Sequence, residues 1–319
     1  MMYMAADTAA KTKKQNGFLQ KLAKNVREHY ALYLLTLPAF LYIAIFCYVP
    51  MYGVQIAFKE YNGALGIIKS PWVGLEHFRR FINSVQFATT MKNTLWLSLY
   101  NIITGFPITI GFALLLNSLT NLRFKKTVQL VTYVPYFIST VVMAGLIMIF
   151  LEYPSGPINN LLSFVGIKQV DFLSNYRLFD DIYTWSGVWQ GTGWSTIMYL
   201  SALAGIDTQL HEAAIVDGAS KIKRIWHIDL PGIAPIIVIR LILRFGQVMS
   251  VGFEKVFLLQ NPLNTIASET IQTYTYKIGI GGGEFAFSTA IGLFNSIINF
   301  VLIIAVNFIS KKVGEQSLW

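Results

Sequence analysis

The chain has 319 residues, of which 54% are hydrophobic and only 13% charged, against about 25% charged in ordinary soluble domains. Mean hydropathy is +0.52 and the formal net charge is +9. This composition argues against a cytosolic enzyme, a disordered protein or a nucleic-acid binder, because too little polar surface remains to cover a water-soluble fold; lipid is the expected solvent.

The first thirty residues carry Lys11, Lys13, Lys14, Lys21, Lys24 and Arg27. No short apolar core with a small-residue cleavage site follows, so residues 1–30 read as a retained, basic cytoplasmic segment. Residues 31–319 form the expected membrane domain. A spanning helix needs about 20 mostly apolar residues, and six stretches qualify: 31–58, 93–116, 128–151, 181–203, 232–252 and 286–309. The single cysteine, Cys47, lies within the first stretch. It excludes an intrachain disulfide and reads as a small buried hydrophobe.

The fourth stretch is the least apolar. It carries Gln190, Thr192, Ser195 and Thr196 among Trp185, Trp189 and Trp194. Such a helix is expected to face other helices or a polar path, packing through Gly187, Gly191 and Gly193. The fifth stretch holds Arg240 and Arg244, four apart and therefore on one helix face. An Arg in mid-span costs roughly 2.5–3.5 kcal/mol on insertion scales, which demands a partner or water. Arg240 and Arg244 are thus candidates for the lining of a solute path; an ion pair between subunits or between helices, or snorkelling from a helix end, is the competing reading. Trp189 and Trp194 are candidates for stacking on a solute in that path, or for lipid-interface positions.

With the N-terminus inside, 14 Lys/Arg fall on inside segments and 9 on outside loops. This bias places both termini in the cytoplasm. The inside loop 206–235 is organised. Asp207 is a suitable N-cap for a helix over 208–216. Gly218 suits a left-handed C-cap. A second helix is expected from Ser220 to about Ile228, ending before Leu230-Pro231. Two short helices at an angle make a rigid protrusion suited to docking.

In this loop Glu212-Ala213-Ala214, Asp217-Gly218-Ala219, Trp226, Ile228, Leu230-Pro231 and Pro235 closely resemble the EAA motif of membrane subunits of binding-protein-dependent ABC importers. Ile225 departs from the Phe usual in that family. The resemblance extends from the first span to the C-terminus. It is nearest to the sugar permeases associated with complex oligosaccharides or polysaccharide fragments, acidic, plant and algal ones included. It implies an all-α integral membrane protein with the type I importer permease fold, six transmembrane helices and a cytoplasmic coupling-helix loop. Glu212, Ala213, Ala214, Asp217 and Gly218 would then be the ATPase-coupling residues: Glu212 contacting the ATPase, Gly218 permitting the turn, Asp217 capping or bracing the second helix.

The implied partners are a second related permease subunit, a cytoplasmic ATPase dimer, an extracellular solute-binding protein, an oligosaccharide solute and membrane lipid. The implied location is the cytoplasmic membrane of a bacterium. ATP and Mg would be bound by the partner ATPase, with no cofactor in this chain. The sequence agrees, since it has no G-x-x-x-x-G-K-[ST] loop, and Gly279–Gly283 lacks the lysine and reads as an outer loop. His29, His77, His211 and His227 show no metal-ligand spacing, and no Ser/His/Asp arrangement or other catalytic set is apparent. A related permease for another solute, such as an amino acid or phosphate, fits the same motif. A secondary transporter driven by an ion gradient leaves the organised loop without a role.

Overall fold

The computed structural model describes residues 24–314, so most of the expected basic N-terminal segment lies outside the described residues. The described residues contain helices and a single isolated antiparallel bridge, Lys59 to Trp72, with no strand. Contacts divide the chain into Met1–Gln55 and Ile56–Trp319. In the first unit, α1 (Tyr30–Ile43) runs through Pro38 without breaking and continues in helical turns. The whole stretch Tyr30–Phe58 is long and apolar enough to cross a membrane. Leu34, Leu35, Phe40 and Phe46 all face outward, and Cys47, expected to be buried, is exposed as well, which suits a helix whose solvent is lipid.

In the second unit, α2 (Glu76–Ile82) precedes α3 (Val85–Ser118), which Ser84 caps by accepting from Phe87 N at 3.2 Å. α4 (Leu122–Tyr133) and α5 (Thr140–Leu151) follow. The third expected span is not one straight helix: its two parts bend by 98°. Pro135 lies in a 3-10 turn, Ile138 is extended, and Ser139 caps α5. The carbonyl freed at Ile138 accepts from Gln190 Nε2 at 2.8 Å. Broken backbone survives in a membrane only where a neighbour satisfies it, which accounts for a glutamine in the fourth span.

α6 (Pro157–Phe164) is a short helix in the following loop. α7 (Phe179–Ala204) is the fourth span, long enough to cross but too polar to be counted among the apolar ones. Gly193 is its tightest contact: a Cβ there would lie 2.1 Å from the Thr132 carbonyl oxygen of α4. Gly191, expected to pack, has nothing within 4 Å and instead faces a cavity.

After the inside loop, α10 (Ala234–Phe245) begins the fifth expected span. Here the expectation of a helix to residue 252 fails. Twelve residues rise about 18 Å, and the chain then leaves the helix at Gly246, where a Cβ would strike Ile303 at 2.8 Å. The freed backbone is served by the last helix, α13 (Phe285–Gly314), whose Asn299 Oδ1 accepts from Met249 N at 3.1 Å. Between them lie α11 (Phe253–Leu259) and α12 (Ile271–Tyr276). The glycine-rich stretch expected as an outer loop is partly helical over Lys277–Gly281.

Three buried clusters hold these elements together. One joins Leu97, Met143, Ile147, Tyr183 and Val256. A second joins Phe81, Met249, Ile271 and Phe287. A third joins Ala113, Tyr199, Leu203 and Ile233 at the base of the inside loop.

Candidate functional site

The loop after α7 folds by local rules. Asp207 accepts from Gln209 N at 2.9 Å and starts α8 (Thr208–Val216), which ends at the expected residue. Gly218 has φ +74°. Ala219 N bonds to Ala214 O at 2.8 Å and Gly218 N to Ile215 O at 3.0 Å, the paired bonds of a Schellman C-cap.

The second helix starts where expected but differs in the residue that caps it and at its far end. Its cap is Ser220, which accepts from Lys223 N at 3.4 Å, while Asp217 is exposed and makes no capping bond to it. Nor does it stop before Pro231. α9 (Lys221–Arg224) continues through a π turn, Ile225–Asp229, and then Leu230–Gly232. The wide turn absorbs the proline, which stands in the first turn of the next segment where no backbone N–H is needed.

Glu212 and Ala213 are exposed and Ala214 half-buried. Around them Leu210, Ile215, Val216, Ile222 and Trp226 expose apolar side chains. Such a patch, rimmed by Glu212, Asp217 and Lys221–Arg224, has the make-up of a protein-binding surface. Inside the loop, His211 Nε2 lies 3.3 Å from Asp229 Oδ1, tying α8 to the second helix. Burial raises the Asp229 carboxyl above its ordinary value of 3.8, opposed by the charges of His211 and Arg224. At the base, the Ile206 side chain sits where a Cβ on Gly232 would be.

The second site is a cavity of about 380 Å³ walled by α3, α7, α10 and the non-helical residues after α10. Arg240 and Arg244 line it together with Asn101, Thr192, Ser195 and Ser250. Arg240 contacts the Met198 sulfur at 3.0 Å and lies 5.9 Å from the Tyr199 ring centre. Among the described residues, neither arginine has a carboxylate within ion-pair distance. An internal ion pair is therefore not what holds them.

Trp189 and Trp194 do not line this cavity. Trp189 faces a separate apolar hollow with Trp185 and Phe150, and Trp194 stacks on Tyr136 at 4.8 Å. Asn101, Tyr183, Ser250 and Gly252 were not among the sequence candidates. No local signal marks them, because they meet only when α3, α7 and the segment after α10 are packed.

Residues 105–315 match the family described as the binding-protein-dependent transport system inner membrane component. The chain belongs to this family. Among its relatives is the polygalacturonan/rhamnogalacturonan transport system permease protein YteP of Bacillus subtilis (strain 168), 42% identical over 93% of this chain and 92% of that protein. The fold is also that of a solved bacterial ABC transporter involved in the import of the acidic polysaccharide alginate. That match has a TM-score of 0.86 and 37% identity, covering 92% of this chain and 99% of the other. A second structure, of a bacterial alginate ABC transporter in complex with an alginate pentasaccharide-bound periplasmic protein, matches with a TM-score of 0.85 and 36% identity over 92% of this chain. The permease is therefore an inner-membrane subunit of an ABC importer with the type I fold expected from the loop motif.

Proposed function

We propose that this permease imports an acidic oligosaccharide through a path that Arg240 and Arg244 help to line. The observation that carries the reading is the pair of arginines facing a polar cavity with no carboxylate among the described residues to neutralise them. Charge left unpaired inside a membrane protein marks a solute pathway, and a uronate carboxylate supplies the missing partner. The names of the relatives, a polygalacturonan/rhamnogalacturonan permease and an alginate importer, support the same class of solute.

In this reading a solute-binding protein delivers the oligosaccharide from outside. A second, related permease completes the path, and a cytoplasmic ATPase dimer binds ATP and Mg and hydrolyses the nucleotide. Both termini and the loop 206–235 lie in the cytoplasm, where Glu212, Ala213, Ala214, Asp217 and Gly218 form the seat for the ATPase. Closing of the ATPase dimer then switches the cavity between inward and outward access, a two-state element biased by nucleotide.

The test is uptake of an oligogalacturonide into vesicles holding the complete complex. Arg240→Leu and Arg244→Leu should each lower uptake roughly tenfold or more while the complex still assembles. Lys at either position should restore part of the loss, since it keeps the charge without the planar donor fork. Normal uptake by both Leu variants, or loss of the assembled complex, overturns the path.

A further inference from the structure

A third cation belongs to this path. Lys255, on α11, is 8% exposed. Its Nζ donates to the Tyr183 carbonyl at 3.0 Å and lies 5.0 Å from the centre of the Tyr183 ring. An ammonium has three donors, and the other two have no acceptor among the described residues. No carboxylate lies within ion-pair distance of it either. A Cβ on Gly187 would sit 3.5 Å from Lys255 Nζ and 3.8 Å from Asn101 Nδ2. Gly187 and Asn101 both line the cavity of Arg240 and Arg244, so the ammonium stands directly behind the part of the wall that the glycine leaves bare.

Two of the three cations mark opposite ends of α7. Arg240 stands by Tyr199, near the end from which the loop 206–235 departs, and Lys255 stands by Tyr183, near the opposite end. Tyr183 and Tyr199 are sixteen residues apart, about 24 Å along a helix axis. A solute with a single acidic group needs one such cation. A row spread over this length suits a chain that carries a carboxylate on successive sugars.

We infer that Lys255 forms the far end of a cationic ladder with Arg244 and Arg240, and that it selects a polyuronide over a neutral oligosaccharide of the same size. The inference rests on the import reading above and adds the residue that confers charge preference.

The experiment compares an oligogalacturonide with its carboxyl-reduced, neutral counterpart in vesicles holding the full complex and its binding protein. Each variant is expressed relative to wild type for each solute, so any preference of the binding protein divides out. Lys255→Gln keeps a donor for the Tyr183 carbonyl and removes the charge. Uptake of the acidic solute should fall roughly tenfold with the neutral one unchanged and the yield of assembled complex normal. An equal fall for both solutes, a fall that tracks lost assembly, or no change overturns the role of Lys255 while leaving the import reading intact. Wild-type vesicles that take up neither solute overturn both.

Discussion

The inside loop and the cavity answer the same question in opposite ways. In the loop, each helix end finds its partner within a few residues: Asp207 with Gln209, Gly218 with Ile215, Ser220 with Lys223. What the loop exposes is apolar surface, at Leu210, Val216 and Trp226. In the cavity what remains is charge, at Arg240 and Arg244 in the lining and at Lys255 behind Gly187, with no carboxylate among the described residues in ion-pair range. Each region thus carries a deficit of the kind its counterpart would fill: a protein cleft for the loop, an anionic solute for the cavity. A surface that folds alone can be pressed on as a rigid piece, whereas a site assembled from four segments changes when any of them shifts.

The largest effect expected from this contrast is at Gly193. A side chain there would meet the Thr132 backbone, which cannot move out of the way as a flexible side chain can. Gly193→Val should cost on the order of 3 kcal/mol, separate α7 from α4, and abolish both the yield of folded complex and uptake. Thermal unfolding in detergent and the recovered amount of complex check this; near-normal values for both would mean that the cavity wall does not depend on that contact.

Gly218→Pro should do the reverse, sparing assembly and removing function. Proline holds φ near −65° where the turn needs +74°, so α8 loses its orientation. Solute-stimulated ATP hydrolysis and uptake should fall about tenfold or more, with normal amounts of complex. Glu212→Ala should give a smaller fall of the same kind. Vesicles in which both variants hydrolyse ATP and transport normally would remove the loop from coupling.

The smallest effect is at Asp229. Its carboxyl is raised by burial despite His211 and Arg224, so burying the charged form opposes folding on balance. A carboxyl raised in the folded state favours that state most below the ordinary value of 3.8, and the advantage is lost as pH rises through the folded value. Asp229→Asn should therefore equal or exceed wild type in stability at pH 7, by less than about 1 kcal/mol. The difference should narrow as pH falls toward 4. Melting curves at the two pH values decide it; a clearly less stable Asn variant at pH 7 would show that the contact with His211 outweighs the burial.

The loop was legible because its signals are local. Asp207, Gly218 and Ser220 act on residues two to five positions away, and a sequence window of that size contains the whole cause. Asp217 misled because an aspartate beside a helix start is a capping residue in general, while Ser220 stood in the better position here. The cavity was half legible. Two arginines in an apolar run announce themselves by cost, but their neighbours come from α3, α7 and the segment after α10.

Lys255 was not among the sequence candidates, because nothing nearby in sequence shows that Tyr183 covers it. The fifth span was misread for a related reason. Val248, Met249 and Val251 are apolar and buried, so hydropathy continues the helix past Gly246. The backbone can leave the helix only because Asn299, fifty residues on, receives the freed donor at Met249. The break in the third span likewise depends on Gln190, whose role is visible only once it faces Ile138.

The contact of Ile206 with Gly232 closes the inside loop at its neck. One strand of that neck leads directly into α7 and the other into α10, the two helices that hold Tyr199 and the arginines. A displacement of α8 is therefore not absorbed by slack in a tether. In the proposed coupling it reaches both walls of the cavity in the same stroke, with the neck as the fulcrum of a short lever.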